Sequence, residues 1–169
     1  ASTLRPSAQP NGALAMKILA LEFSSPRRSV AVVQALGPGT ARTLGEVTEA
    51  ETGTRATPAI GWVEQALRLA ALEREQVQCL ALGLGPGSYT GIRAAIALAQ
   101  GWHLASAPNG IPLLGLSSAE CVAAQAQAEG LTGRVVVVID AQRKEFYFAD
   151  YELFFPGVGK RAWIVFYCV

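Results

Sequence analysis

The 169 residues are 51% apolar with a mean hydropathy of +0.30, ample for a buried core, so the chain reads as globular, with one or two domains. With 14 basic against 13 acidic residues the formal net charge is +1, which excludes an overall field able to draw the chain onto nucleic acid or anionic lipid. Cys79, Cys121 and Cys168 are odd in number and lack metal-ligand spacing, and no run of about 18 apolar residues is present, so the natural reading is reduced thiols in a cytoplasmic setting without a membrane span.

Residues 1–15 hold Pro6, Pro10, Asn11, Gly12 and small polar side chains, a composition that predicts a disordered leader with no apolar run long enough for a signal peptide. From Lys17 the pattern Ile18-Leu19-Ala20-Leu21, a polar turn from Glu22 to Arg28, and Ser29-Val30-Ala31-Val32-Val33 predicts a hairpin. Gly37-Pro38-Gly39 then turns the chain into a third strand, Ala41–Val47, completing a three-stranded meander. Glu22 stands at a strand end, and its plain reading is a charged residue there. After a polar stretch from Glu49 to Thr57, Pro58 sits at a first helical position. Ile60, Val63, Ala66, Leu67 and Ala70 then mark one face of an amphipathic helix running to about Leu72.

The chain is organised around Gly83-Leu84-Gly85-Pro86-Gly87-Ser88-Tyr89-Thr90-Gly91-Ile92-Arg93, between a buried-strand run at 78–82 and an Ala-, Leu- and Ile-rich helix reaching Ala105. That order is strand, glycine loop, helix. Gly85 and Gly87 admit positive φ or a close neighbour, and Ser88 or Thr90 caps the helix, whose first amides point outward as a site for an anion or a partner's carboxylate. Three known phosphate or nucleophile loops do not fit. Thr90 stands where the dinucleotide fingerprint needs its third glycine, no Lys follows Gly91 as a Walker loop requires, and Pro86 and Thr90 occupy the glycine positions of a serine-hydrolase elbow around Ser88.

In the helix, Ile92, Ile96, Ala99 and His103 share a stripe with Trp102 beside it, and the surface is apolar nearly all round. His103, the sole histidine, packs or caps near the helix end. A short strand at 111–116 follows, then a helix capped by Ser117 or Ser118 and running to about Glu129. Arg134–Ile139 reads as a β-branched strand, 140–144 as a turn, and Glu145–Tyr151 as its partner strand. Asp140 either organises a ligand or belongs to the turn, and turn structure is the favoured reading. The end of the chain, Trp163–Val169, is β-prone and uncharged, close to an aggregation signature unless it pairs in a sheet.

The run Gly85–Arg93, followed by Ala99-Gln100-Gly101, resembles the signature of the bacterial TsaB (YeaZ) family, a subunit of the machinery for threonylcarbamoyladenosine in tRNA. Met16–Glu22 resembles the family's opening strand and Val138–Tyr147 the strand pair opening its second half, so the likeness runs from about Met16 to Glu152. The resemblance implies an α/β fold of the actin-like, sugar kinase and Hsp70 (ribonuclease H-like) type: a three-stranded meander, an α-covered sheet extension, and an incomplete second lobe. On that reading 1–15 is the leader, 16–131 the first lobe, and 132–169 the start of a second lobe, truncated or altered in frame after about Glu152.

Function also follows by resemblance. It implies a non-catalytic, cytoplasmic partner that scaffolds and activates a TsaD-type subunit, the carrier of metal, ATP site and transfer chemistry, with a TsaE-type accessory ATPase. Homodimerisation and only indirect contact with tRNA go with it. No catalytic residue, no metal ligand and no tightly bound cofactor is expected, with nucleotide held only weakly or at a partner interface. Family contacts run through the first two helices, here Ile60, Val63, Leu67, Ile92, Ile96, Ala99, Trp102 and His103. Ligand or partner contacts at the loop are assigned to Glu22, Ser24, Gly85, Gly87, Ser88, Thr90, Arg93 and Asp140. In the superfamily the first hairpin supplies an Asp and a glycine-rich phosphate turn, whereas this chain has Glu22 followed by Ser24-Ser25-Pro26. Arg55, Ala56 and Thr57 stand where family members commonly carry a His, so no role for that His is carried over. The alternatives are an ATP-dependent small-molecule kinase of the same superfold or an inactive M22-type peptidase homologue. The glycine-free turn counts against the first, and the single histidine counts against a metallopeptidase.

Overall fold

Alternating apolar residues from Met16 onward build the first layer. The computed structural model describes residues 15–37, 39–50, 58–106, 108–142, 145–154 and 165–168. Within it β1 (Met16–Glu22), β2 (Arg27–Gly37) and β3 (Thr40–Ala50) form the expected meander of antiparallel pairs. Leu19 and Leu21 of β1 and Val30 and Val32 of β2 are buried, as the period of two requires.

Helix α1 (Ala59–Leu69) carries the chain back across the sheet, so that β4 (Cys79–Gly83) lies parallel to β1. The helix ends before the predicted Leu72, because Ala71 takes φ 52° and the Leu72 N–H returns to the Leu67 carbonyl. Pro58 is the residue before the first helical turn, and Thr57 falls outside the described residues. Every residue of β4 is buried, the pattern of a parallel strand covered on both faces. Helix α2 (Tyr89–Ala105) then leads to β5 (Leu113–Leu116), parallel to β4, and the sheet order is β3-β2-β1-β4-β5.

A second layer follows: α3 (Ser118–Ala128), β6 (Gly133–Gln142), β7 (Glu145–Leu153) and β8 (Val165–Cys168), with sheet order β6-β7-β8. The β-prone end of the chain pairs with β7 in this sheet. One expectation is corrected here. Asp140 is not in a turn: β6 continues through Gln142 over a bulge, and Asp140 stands opposite Phe146 on β7. The β-branched run carries the ladder past the polar residues that read as turn formers.

The two layers bury separate cores. One gathers Leu19, Phe23, Val30, Leu80 and Ala95 with their neighbours, and the other gathers Ala119, Ala123, Val137, Ala149, Tyr151 and Leu153. Residues 1–14 of the expected leader at 1–15, together with 38, 51–57, 107, 143–144, 155–164 and 169, lie outside the described residues. No described helix is long and apolar enough to cross a membrane.

Candidate functional site

Three segments meet where the cores approach each other: the end of β1 with residues 22–24, the glycine loop between β4 and α2, and the first turn of α3. The loop fits because its glycines lie against the first segment. A Cβ on Gly91 would overlap the Phe23 carbonyl oxygen, and one on Gly87 would overlap that of Ser24. Gly85, at φ 81°, and Gly87, at φ 150°, both occupy the backbone region that disfavours side chains, as the loop sequence predicts.

Polar bonds then tie the three segments together. Glu22 Oε1 accepts the Ser24 N–H at 2.6 Å, and Glu22 Oε2 accepts the Ser118 hydroxyl at 2.7 Å. Ser24 donates its own hydroxyl to Ser118 Oγ at 3.0 Å. From the other side the Ser118 N–H reaches the Gly85 carbonyl at 2.9 Å. Ser24 and Ser118 are 4% and 8% exposed, so these hydroxyls satisfy one another away from solvent. Glu22 is therefore a brace with both carboxylate oxygens engaged, more than the charged strand end of its plain reading.

The outward amides expected at the loop are partly used internally. The Ser88 N–H bonds to the Ser24 carbonyl, and the Gly91 N–H goes to Ser88 Oγ at 3.2 Å, which makes Ser88 and not Thr90 the cap. Thr90 and Arg93 face solvent on the first turns of α2, where the Arg93 guanidinium lies 5.4 Å from the centre of the exposed Tyr89 ring. Over the loop opens a cleft of about 440 Å³, lined by Glu22, Ser24, Pro86, Ser88, Ser118 and Asp140 among others, and among the described residues none of its lining is basic. Among the described residues no group of three or more His, Cys, Asp or Glu side chains gathers as a metal site.

A larger hollow, about 750 Å³, lies between α1 and α2, with Ile60, Leu67, Leu98 and Trp102 in its walls. Arg74 stacks over the Trp102 ring at 4.9 Å along its edge. Of the eight residues assigned to helix contacts, Ile60 is 70% exposed, and Ile92, Ile96, Trp102 and His103 are half-buried. Val63, Leu67 and Ala99 are corrected as surface residues, since all three are buried in the first core. An α2 this rich in alanine offers apolar atoms on every side, so its stripe does not tell the inward face from the outward one. Gly91, Ala95 and Ala99 are the inward line. His103 packs, as expected, with its Nδ1–H donated to the Ile111 carbonyl at 2.7 Å.

Two residues of the cleft escaped the sequence reading. Ser118 was legible only as a possible cap, and the cap of α3 is in fact Ser117. Cys121 lines the cleft one turn further along α3. Burial pushes its thiol up, as do the nearby charges of Glu22 and Glu120, and burial does the same at Cys79. Both shifts favour the thiol over the thiolate.

Comparison with known proteins places this geometry. The family model described as TsaD, tRNA N6-adenosine threonylcarbamoyltransferase, matches residues 56–158. The tRNA threonylcarbamoyladenosine biosynthesis protein TsaB of Escherichia coli K12 is 32% identical over 137 residues, 81% of this chain and 55% of that protein. The protein of the same name from Haemophilus influenzae is 31% identical over 135 residues, 80% of this chain and 53% of its own length. The solved structure of YeaZ from Pseudomonas aeruginosa superposes with a TM-score of 0.70 at 29% identity, covering 91% of this chain and 66% of that one. The chain thus spans about half the length of the curated relatives it matches, and its fold is the expected α/β actin-like one.

Proposed function

The chain belongs to the TsaB (YeaZ) family, and on that premise we propose that it serves threonylcarbamoyladenosine biosynthesis in tRNA as a non-catalytic subunit that scaffolds and activates a TsaD-type catalytic subunit. The observation that carries this reading is the identity to the TsaB proteins over about four fifths of the chain. The site chemistry supports it. Glu22 is occupied by the chain's own donors, Ser88 has no His beside it among its hydrogen-bond partners, and among the described residues that line the cleft none is basic. A TsaE-type ATPase completes the proposed assembly in the cytoplasm. The net charge of +1 agrees with tRNA being held by another subunit.

The proposed docking surface is the α1–α2 groove, entered at Ile60 and Trp102. Mixed with a TsaD-type subunit, the chain is expected to co-elute on size exclusion. Ile60→Glu should abolish the shared peak, because a carboxylate desolvated without a partner costs several kcal/mol, roughly 2 or more. Ile60 is largely exposed, so circular dichroism should be unchanged. Co-elution that survives Ile60→Glu places the interface elsewhere, and a shift of the chain alone to twice its mass that Ile60→Glu also abolishes identifies a second copy on the same groove.

Nucleotide, if bound, is held weakly or at the partner interface. The isolated chain is expected to show no more than weak ATP turnover. Robust hydrolysis abolished by Glu22→Ala would favour the small-molecule kinase reading instead.

A further inference from the structure

Ser118 connects two bodies whose described buried apolar residues fall in two separate clusters. The helix it opens, α3, contributes Ala119 and Ala123 to the second core, together with Val137, Ala149, Tyr151 and Leu153 of the three-stranded sheet. Its polar bonds run the other way. Its N–H goes to Gly85, its hydroxyl donates to Glu22, and the same oxygen accepts from Ser24, all in the layer that buries the first core. The partners stand 94 and 96 residues away along the chain for Ser24 and Glu22. Covalently the bodies are joined just before this point, where β5 ends at Leu116 and α3 begins at Ser118.

We propose that the Glu22–Ser118–Ser24 node is a latch that sets the angle of the second body over the glycine loop and so holds the cleft in its closed form. Apolar seams between packed layers hold bodies together in a way that no donor can displace. Hydroxyls and a carboxylate can exchange partners with water or with an incoming donor. Two hydroxyl bonds, one of them to a carboxylate, bias such an equilibrium by on the order of a hundredfold, enough to hold one state and still be reversed by a ligand that competes for Glu22. Opening removes the hydroxyl bonds of Ser118 and loosens the Ser118–Gly85 bond, so the loop that carries the family signature loses its tie to the second body. The latch rests on these contacts and stands whether or not the partner proposed above is the right one.

The test measures the angle directly. Nitroxide labels are placed on Gln100→Cys in α2 and Glu152→Cys in β7, both exposed positions, with Cys121→Ser and Cys168→Ser in the full-length background and Cys79 left buried. Electron–electron resonance should give one narrow distance distribution for this parent. Ser118→Ala and Glu22→Ala should each broaden it or add a second population, with amide exchange in residues 84–92 rising about tenfold. The double variant should fall short of the sum of the two single ones, because both remove the Ser118–Glu22 bond while each removes one further bond to Ser24. Ser24→Ala serves as a third, milder variant. An unchanged distance distribution in any folded Ser118→Ala protein overturns the latch, as do additive effects. Unfolding of all three variants overturns it as well, since the node would then be part of the core.

Discussion

Gly91→Ala is expected to lower stability by about 3 kcal/mol or more, against an intrinsic helix preference that favours the alanine by about 1 kcal/mol. The reason is contact. Gly91 lies in the first turn of α2, fully buried, and a Cβ there would overlap the Phe23 carbonyl oxygen with the Phe23 side chain close behind it. The helix has no room to retreat, because Ala95 and Ala99 on the same line are 0% exposed and pressed against the sheet. Gly101 on the same helix is the control. It is exposed and nothing lies within 4 Å of its added Cβ, so Gly101→Ala should gain roughly 0.5 to 1 kcal/mol. Urea unfolding of the two variants should move the midpoint in opposite directions. If both are stabilised, α2 does not rest on the end of β1, and the packing described for the loop is wrong.

That contrast also marks what a single sequence reveals about this loop. The strand, the glycine turn and the helix were legible from composition and order, and so was a positive φ or a close neighbour at Gly85 or Gly87. Gly91 was not. A glycine inside a helix looks the same whether its face is empty, as at Gly101, or filled by a carbonyl from a strand far back in the chain, as at Gly91. The node at Ser118 was hidden for the same reason, since hydroxyl pairs 94 residues apart leave no periodicity. Local signals misled in two places. The polar run after Ile139 read as a turn from Asp140 on, yet the strand propensity of Val135–Ile139 carries β6 as far as Gln142. The apolar stripe on the first two helices read as a surface, yet Val63, Leu67 and Ala99 are the chain's own core. The second error arises where tertiary contact, absent from the local pattern, decides the outcome, and the first where neighbouring strand propensity outweighs the turn-forming residues.

Phe23→Ala should be at least as damaging as Gly91→Ala, with an expected loss of about 3 to 5 kcal/mol. Phe23 follows β1 directly, is 0% exposed, and belongs with Tyr151 to the largest fully buried side chains. Its ring meets Trp62 of α1 edge to face, with centroids 6.0 Å apart at 71°. Its backbone carbonyl is the surface on which Gly91 of α2 rests. One residue thus holds both helices of the first layer to the sheet, and truncating it leaves a cavity that neither helix can fill without giving up other contacts. Phe23→Leu keeps most of the apolar volume and forfeits mainly the ring pair, worth about 0.5 to 1.5 kcal/mol, so its loss should be much smaller. The position has a further consequence because Glu22 and Ser24 flank it. A chain that relaxes around the cavity at 23 moves both partners of Ser118 in the hydroxyl node, the Glu22 acceptor and the Ser24 donor, so cleft geometry should change in the folded fraction of Phe23→Ala and stay fixed in Phe23→Leu. Equilibrium urea melts give the first comparison and the nitroxide distance gives the second. A loss below about 1 kcal/mol for Phe23→Ala would mean that the ring is not the keystone of the first core.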